Sequence, residues 1–303
     1  EIKREKKGET AQDIEITKRI LEKIALIMQI YQTKQITKDE LITFFDEIDS
    51  GLKDYFLKEI TLDKFYSRLL LRNNGDTIQF QNAEFQEYLA AKEIMRLGNV
   101  EQVVFDLSVN KNLREIFPNW YNTVKFLIEM HPPLLRKVIE YGKNNSSEIK
   151  TDSYFRFIID VETESITEED KREIFKTIFY YYQKQAYWID YGIVMALPRF
   201  YDSSLEKILK KSVEKQDSSF EYYRVRVGNT IIVVNALVES NLHELDKEYW
   251  ETELLQLIKT EDNFIKRQSV SLLGNFNDLN LLEQIYDDIK NSDHLVWDNY
   301  TAA

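Results

Sequence analysis

Apolar positions recur at helical spacing through most of this chain. Residues 1–13 (EIKREKKGETAQD) are charged and carry no apolar stripe, so they read as a linker or a frayed helix end. From Ile14 the pattern changes. Ile16, Ile20, Ile24 and Ile27, with Leu21 and Met28 beside them, define one buried helical face. A second helix has a clear start. Thr37 precedes Lys38-Asp39-Glu40, so a Thr cap with Glu three residues on predicts a capping box, and Leu41, Ile42, Phe44 and Phe45 supply the apolar face. A third helix is predicted over 62–71, with Leu62, Phe65, Leu69 and Leu70 inward. The stretch Arg72-Asn73-Asn74-Gly75-Asp76 then separates that run from the alternating Thr77-Ile78-Gln79-Phe80. Asn-Gly in that position predicts a β-hairpin. A longer helix follows, with Phe85, Tyr88 and Leu89 expected in its core. Its Ala90-Ala91 pair is small enough to let a neighbouring helix approach closely. Three helices and a short hairpin are the order of a winged helix.

Beyond residue 100 apolar helices alternate with short polar loops, and no strand is expected. Three segments look alike. Ile193-Val194-Met195-Ala196-Leu197, Ile232-Val233-Val234-Asn235-Ala236-Leu237 and Ser269-Val270-Ser271-Leu272-Leu273 are each followed by a polar break and a second apolar run. Aligned on Leu197, Leu237 and Leu273, they are spaced by 40 and 36 residues. Two-helix solenoid repeats have periods of about 40–47 residues. Phe126-Leu127 and Phe157-Ile158 mark degenerate earlier members. One helix pair cannot bury its own apolar face, so such pairs stack and leave a curved surface suited to holding another macromolecule. The fold class expected is mainly α: a winged-helix-like domain with one short β-hairpin over 14–100, then an α-solenoid of HEAT-like helix pairs over 101–303.

Two stretches carry a family resemblance. Phe80-Gln81-Asn82-Ala83-Glu84-Phe85-Gln86-Glu87-Tyr88-Leu89-Ala90-Ala91 resembles the end of the winged-helix region in bacterial NACHT ATPases of the STAND class. There the pattern runs Phe-x-His-x-Ser-Phe-Gln-Glu-Tyr-x-Ala-Ala. Phe80, Phe85, Gln86, Glu87, Tyr88, Ala90 and Ala91 match it. Ile265-Lys266-Arg267-Gln268-Ser269-Val270-Ser271-Leu272-Leu273-Gly274 is similar to a HEAT repeat. The resemblance implies a regulatory and ligand-sensing segment, downstream of an NTPase domain that binds ATP or ADP and oligomerises when the sensor is released. In bacteria many such proteins resemble antiphage defence systems. It implies two partners, the upstream NTPase domain and a protein ligand on the repeat surface. The family's nucleotide-facing His aligns with Asn82, the one candidate cofactor-binding residue. An amide can donate a hydrogen bond to phosphate but cannot take the positive charge of an imidazole.

Composition bounds the chemistry. With 303 residues and only 8 Gly and 4 Pro, the chain lacks the turn residues of a β-sandwich or an α/β enzyme of its size. There is no Cys, hence no disulfide framework and no thiolate metal site. No apolar run approaches 18 residues and no signal peptide opens the chain, so a cytoplasmic protein without a membrane partner is expected. The chain opens on Glu1 without Met, which we read as an excised piece of something longer. Net charge is −12, and residues 101–303 hold 34 acidic against 24 basic residues. That excess repels phosphate backbones and argues against nucleic-acid binding, although it suits a basic partner as well as a solvated face. Lys64, Arg68 and Arg72 could share a DNA-recognition helix, but Asp63 adjoins them.

No G-x-x-x-x-G-K-[ST] occurs, so the chain is expected neither to hold nucleotide alone nor to be an enzyme. His131, His243 and His294 are scattered and read as surface or helix-end residues. Asp46 to Gly51 does not fit a calcium loop. Glu162, Glu164, Glu168, Glu169 and Asp170 could hold a carboxylate pair, but Thr167 followed by three acids reads better as a capped first turn. Phe175, Ile178, Phe179, Tyr180, Tyr181, Tyr182, Tyr187 and Trp188, with Tyr222 and Tyr223, are expected mostly in the core, some of them exposed as interface anchors. The alternatives to the regulatory reading are a free-standing HEAT-like adaptor and a DNA-binding winged helix.

Overall fold

The computed structural model describes residues 11–48, 50–59, 71–146, 148–149, 152–161, 166–214, 219–260, 262–276 and 283. These are mainly helical, with a small antiparallel sheet. Internal contacts divide the chain into two compact units between Val138 and Ile139, although the sequence texture changes near residue 100.

In the first unit α1 (Ala11–Ile30) buries the predicted face: Ile20, Leu21, Ile24, Ile27 and Met28 are all in the core. The short strand β1 (Ile36–Thr37) leads directly into α2 (Lys38–Ile48). The predicted capping box closes this start. The Glu40 N–H donates to Thr37 Oγ1 at 3.2 Å, and the Thr37 N–H donates to Glu40 Oε2 at 2.8 Å. The Thr37 hydroxyl, donating to Glu40 Oε2 at 2.7 Å, and then the Thr37 N–H hold the Glu40 carboxyl below its ordinary pKa. Leu41 and Phe45 point inward, and Phe45 meets Phe56 of α3 (Ser50–Glu59) at a ring separation of 5.2 Å. The helix expected over 62–71 lies outside the described residues up to 70, and Leu71 opens a strand instead. Arg72 therefore belongs to a sheet, not to a recognition helix.

The hairpin forms from β2 (Leu71–Asn74) and β3 (Thr77–Phe80), paired Leu71 with Phe80 through Asn74 with Thr77. The turn is Gly75-Asp76, and Gly75 takes φ +76°, which an L side chain resists. Ile78 and Phe80 are buried while Thr77 and Gln79 are half-buried, the alternation of a sheet with one covered face. β1 adds to the same sheet through Ile36–Ile78 and Thr37–Thr77, giving the order β1-β3-β2. This third strand was not anticipated, because its two residues are strand only by virtue of a distant partner.

The hairpin delivers the chain into α4 (Ala83–Ile94), which packs chiefly on α1 and on α6 (Tyr121–Met130). Ala90 and Ala91 are fully buried, as the small-residue argument required. Two buried carboxylates seal this contact. Glu93 accepts from Lys23 Nζ at 2.9 Å, and Glu22 from Arg96 Nε at 2.8 Å. Between them in sequence, α5 (Val100–Ser108) is followed by β4 (Val109–Asn110) and β5 (Glu115–Ile116), paired Val109 with Ile116. No strand was expected here. Asn110 makes the turn by accepting from the Asn112 and Leu113 N–H groups, and Arg114 adopts φ +56°. α7 (Pro133–Asn144) spans the division between the units.

The second unit contains α8 (Ser153–Ile159), α9 (Glu168–Gln185), α10 (Tyr191–Ala196), α11 (Glu206–Val213), α12 (Phe220–Ser240), α13 (Lys247–Leu257) and α14 (Asn263–Asn275), with 3₁₀ turns at Leu197–Phe200 and Ser203–Leu205. α9 starts as predicted, with the Asp170 N–H donating to Thr167 Oγ1 and three acids in its first turn. α12 is the organising helix, touching α9, α10, α11, α14 and the Leu197–Phe200 turn. Leu197, Leu237 and Leu273, the residues used to align the segments, are all fully buried. Side-chain hydrogen bonds join positions about one such period apart. Asn229 reaches Ile189, 40 residues away. Glu206 accepts from the N–H of Asp246, 40 residues on, and from Trp250 Nε1, 44 residues on. Asn275 bonds Asn235 across another 40.

Candidate functional site

Asn82 is exposed and serves as the N-cap of α4, its Oδ1 accepting from the Glu84 N–H at 2.9 Å. That oxygen is committed to the helix, leaving the amide N–H groups to face any ligand. The matched residues around it divide by role. Gln86 donates to the Thr33 carbonyl at 3.4 Å, and Glu87 accepts from Asn122 Nδ2 at 3.1 Å, so both brace the unit. Burial, reinforced by repulsion from Glu84, outweighs that hydrogen bond and pushes the Glu87 carboxyl up. Phe85 and Tyr88 correct the expectation that they lie in the core: they are 44% and 39% exposed. The alanine stripe occupies the close contact with α1, which turns the aromatic side of the helix outward. Tyr88 still meets Phe126 edge-on at 5.5 Å.

A more constructed surface lies in the second unit, at the turn joining α9 to α10. Burial sorts the aromatic run. Phe175, Ile178, Phe179, Tyr181 and Tyr182 are core, whereas Tyr180, Tyr187 and Trp188 are exposed. Burial pushes the Tyr181 hydroxyl up to about 12, and it donates to the Ile149 carbonyl. α9 ends where Ala186 takes the left-handed conformation, φ +52°. The chain then runs Tyr187-Trp188-Ile189-Asp190 into α10, whose first turn Asp190 caps by accepting from the Gly192 N–H at 2.9 Å.

The turn is clamped from below by α12. Asn229, fully buried, donates to the Tyr187 carbonyl at 2.8 Å and accepts from the Ile189 N–H at 3.1 Å. One residue earlier, Gly228 clears room for the indole. A Cβ there would lie 2.6 Å from Trp188 Cζ3 and 3.0 Å from Phe264 Cε1. Trp188 rests edge-on against Phe264 at 4.6 Å. What projects is Tyr187 at 53% exposure, Trp188 at 40%, Tyr191 at 76% and Met195 at 45%. Tyr191 and Met195, four apart on α10, share a helical face.

Two arginines flank the turn, each shared by two carboxylates. Arg156 lies 2.9 Å from Asp190 and 3.1 Å from Asp152. Arg224 lies 3.0 Å from Asp262 and 4.0 Å from Glu221. Each trio sums to −1. Sequence reasoning singled out Tyr187 and Trp188 but missed Tyr191, Gly228 and Asn229. The available signal was the Gly-Asn-Thr interruption at 228–230 within the apolar run of α12.

A shallow concavity of about 570 Å³ lies beside the α12–α13 connection, lined by Leu242, His243, Glu244, Lys247 and Phe276 among others. Two of its polar side chains are engaged in structure. His243 Nε2 is 2.7 Å from the Pro198 carbonyl, and Lys247 donates to the Phe276 carbonyl. His131 terminates α6, as a helix-end residue should, and His294 lies outside the described residues together with Glu162, Glu164, Lys64 and Arg68. Among the described residues no group of three His, Asp or Glu could hold a metal ion, and no helix is long and apolar enough to cross a membrane. No protein-family model, no curated protein and no solved structure matches the chain.

Proposed function

We propose that this chain is the regulatory and ligand-sensing part of a NACHT-type STAND ATPase. In this reading residues 14–100 are the winged-helix-like end of a nucleotide switch, and the helices of 101–303 are a HEAT-like stack that receives a protein ligand. The observation that carries it is the Phe80–Ala91 segment. It issues from a hairpin, caps its helix with Asn82 and buries Ala90-Ala91 against α1. The order α1-β1-α2-α3-β2-β3 supports a winged helix. The hydrogen bonds between positions 40–44 residues apart support stacked helix pairs. ATP or ADP would be held upstream, with Asn82 contributing at most an amide N–H. Ligand capture on the helical stack would then release the NTPase domains to oligomerise, in bacteria as an antiphage response.

The test is the gene sequence preceding the Glu1 codon, followed by the parent protein. A P-loop must be encoded there, and adding nucleotide to the parent must change its oligomeric state on size exclusion. A parent without a P-loop refutes the proposal. A second reading, a free-standing HEAT-like adaptor, draws on the aromatic turn, which needs no nucleotide. It gains if the turn binds a partner and no NTPase domain precedes the chain.

A further inference from the structure

We propose that the aromatic turn at Tyr187-Trp188 and Tyr191 is a docking site for a Lys/Arg-rich segment of a protein partner. The inference rests on reading 101–303 as the recognition surface and names the chemistry of what it recognises. Three observations carry it. First, the surface is preorganised. Asn229 holds both sides of the turn, Gly228 seats the indole and Asp190 caps the following helix, so little conformational freedom is lost on binding. Second, rings of Tyr and Trp present faces that attract cationic side chains, most strongly Trp and most often toward Arg. Third, the electrostatics select the sign. The Arg156 and Arg224 trios each leave one net negative charge beside the turn, and residues 139–303 hold 30 acidic against 19 basic residues. An acidic segment would meet repulsion; a basic one meets aromatic faces with carboxylates alongside. Lys184, exposed three residues before Tyr187, is an opposing charge in this neighbourhood.

The experiment uses the whole 303-residue chain. A fluorescent dodecapeptide alternating Lys or Arg with Gly and Ser is titrated with protein and followed by anisotropy. Its Glu-for-Lys/Arg counterpart serves as control. The basic peptide is expected to bind and to weaken as salt is raised, the acidic one not to bind. Tyr191→Ala, and separately Trp188→Ala, should each weaken binding about tenfold. Tyr180→Ala, an exposed tyrosine within α9 and outside the turn, should leave it unchanged, and Lys184→Glu should tighten it. Circular dichroism confirms that each variant keeps its fold, and Tyr191→Ala, the most exposed change, keeps the test valid if Trp188→Ala does not fold.

Equal binding of both peptides, no binding of the basic one, or binding indifferent to Tyr191 overturns the inference. So does self-association of the chain that Tyr191→Ala abolishes, since the occupant is then a second copy. The readout needs no nucleotide. A parent lacking a P-loop would refute the ATPase reading while leaving this result intact, and loss of peptide binding would leave the ATPase reading standing.

Discussion

Replacing Asn229 by Ala removes two hydrogen bonds from one buried point. The Ile189 N–H loses its acceptor at a buried position, and an unsatisfied buried donor costs about 1–3 kcal/mol. The Tyr187 carbonyl belongs to an exposed residue and can recover water, so its share is roughly 0–1 kcal/mol. The variant should therefore lose about 1–4 kcal/mol in urea unfolding, with an unchanged m-value, and the Ile189 amide should exchange far faster. Asn229→Asp sharpens the case. Its carboxylate can still accept from Ile189 but cannot donate to Tyr187, and it would be charged at a fully buried position. Such an Asp has a raised folded pKa. Its stability contribution is full below the unfolded pKa and is lost as pH rises through the folded value, so this variant should recover toward wild type in acid while Asn229→Ala does not. A loss below about 0.5 kcal/mol for Asn229→Ala, or an Ile189 amide as protected as in wild type, would refute the reasoning.

Glu206→Ala should cost about 2–3 kcal/mol, because its mostly buried carboxylate accepts from the Trp250 indole and the Asp246 N–H; Glu206→Gln should lose less in the same thermal melt. Ala90→Leu should destabilise by about 1–3 kcal/mol in denaturant titration, since α1 already closes on Ala90 and extra methyl groups have no space. For Glu87 the raised pKa means that stability is greatest with the carboxyl protonated and is lost as pH rises through the folded value. Glu87→Gln should therefore melt above wild type at pH 7, with the gap closing below about pH 4.

Local signals were read well from sequence because their physics is local. The Thr37–Glu40 box, the Thr167 cap and the Gly75 turn each need only a few neighbouring residues. β1 could not be read that way, since Ile36 becomes strand only by pairing with Ile78. α4 shows a different limit. It is apolar on several sides, so periodicity alone placed Phe85 and Tyr88 inward. The closeness of α1 settled the matter in favour of the alanines. In α9 three consecutive tyrosines are about 100° apart around the helix, so they cannot all face one core. Tyr180 is the one turned out, and which one it would be depended on the packing of α12 and α8. The candidate site was half visible. Tyr187 and Trp188 were named from sequence, but the residues that hold them, Gly228 and Asn229, act from 40 residues away.

The bonds between positions one period apart also bear on how the second unit would fail. Asn229 ties to Ile189, Glu206 to Asp246 and Trp250, and Asn275 to Asn235, so each tie reaches about one neighbour along the chain and no further. If the helices of the second unit stack in pairs as proposed, an assembly tied this way opens in denaturant one helix pair at a time. α13 and α14 should open first and take Phe264 away from Trp188, while Asn229 of α12 still holds the backbone of the turn. Single-molecule pulling from the C-terminus would register this as a staircase of small extensions rather than one abrupt rip.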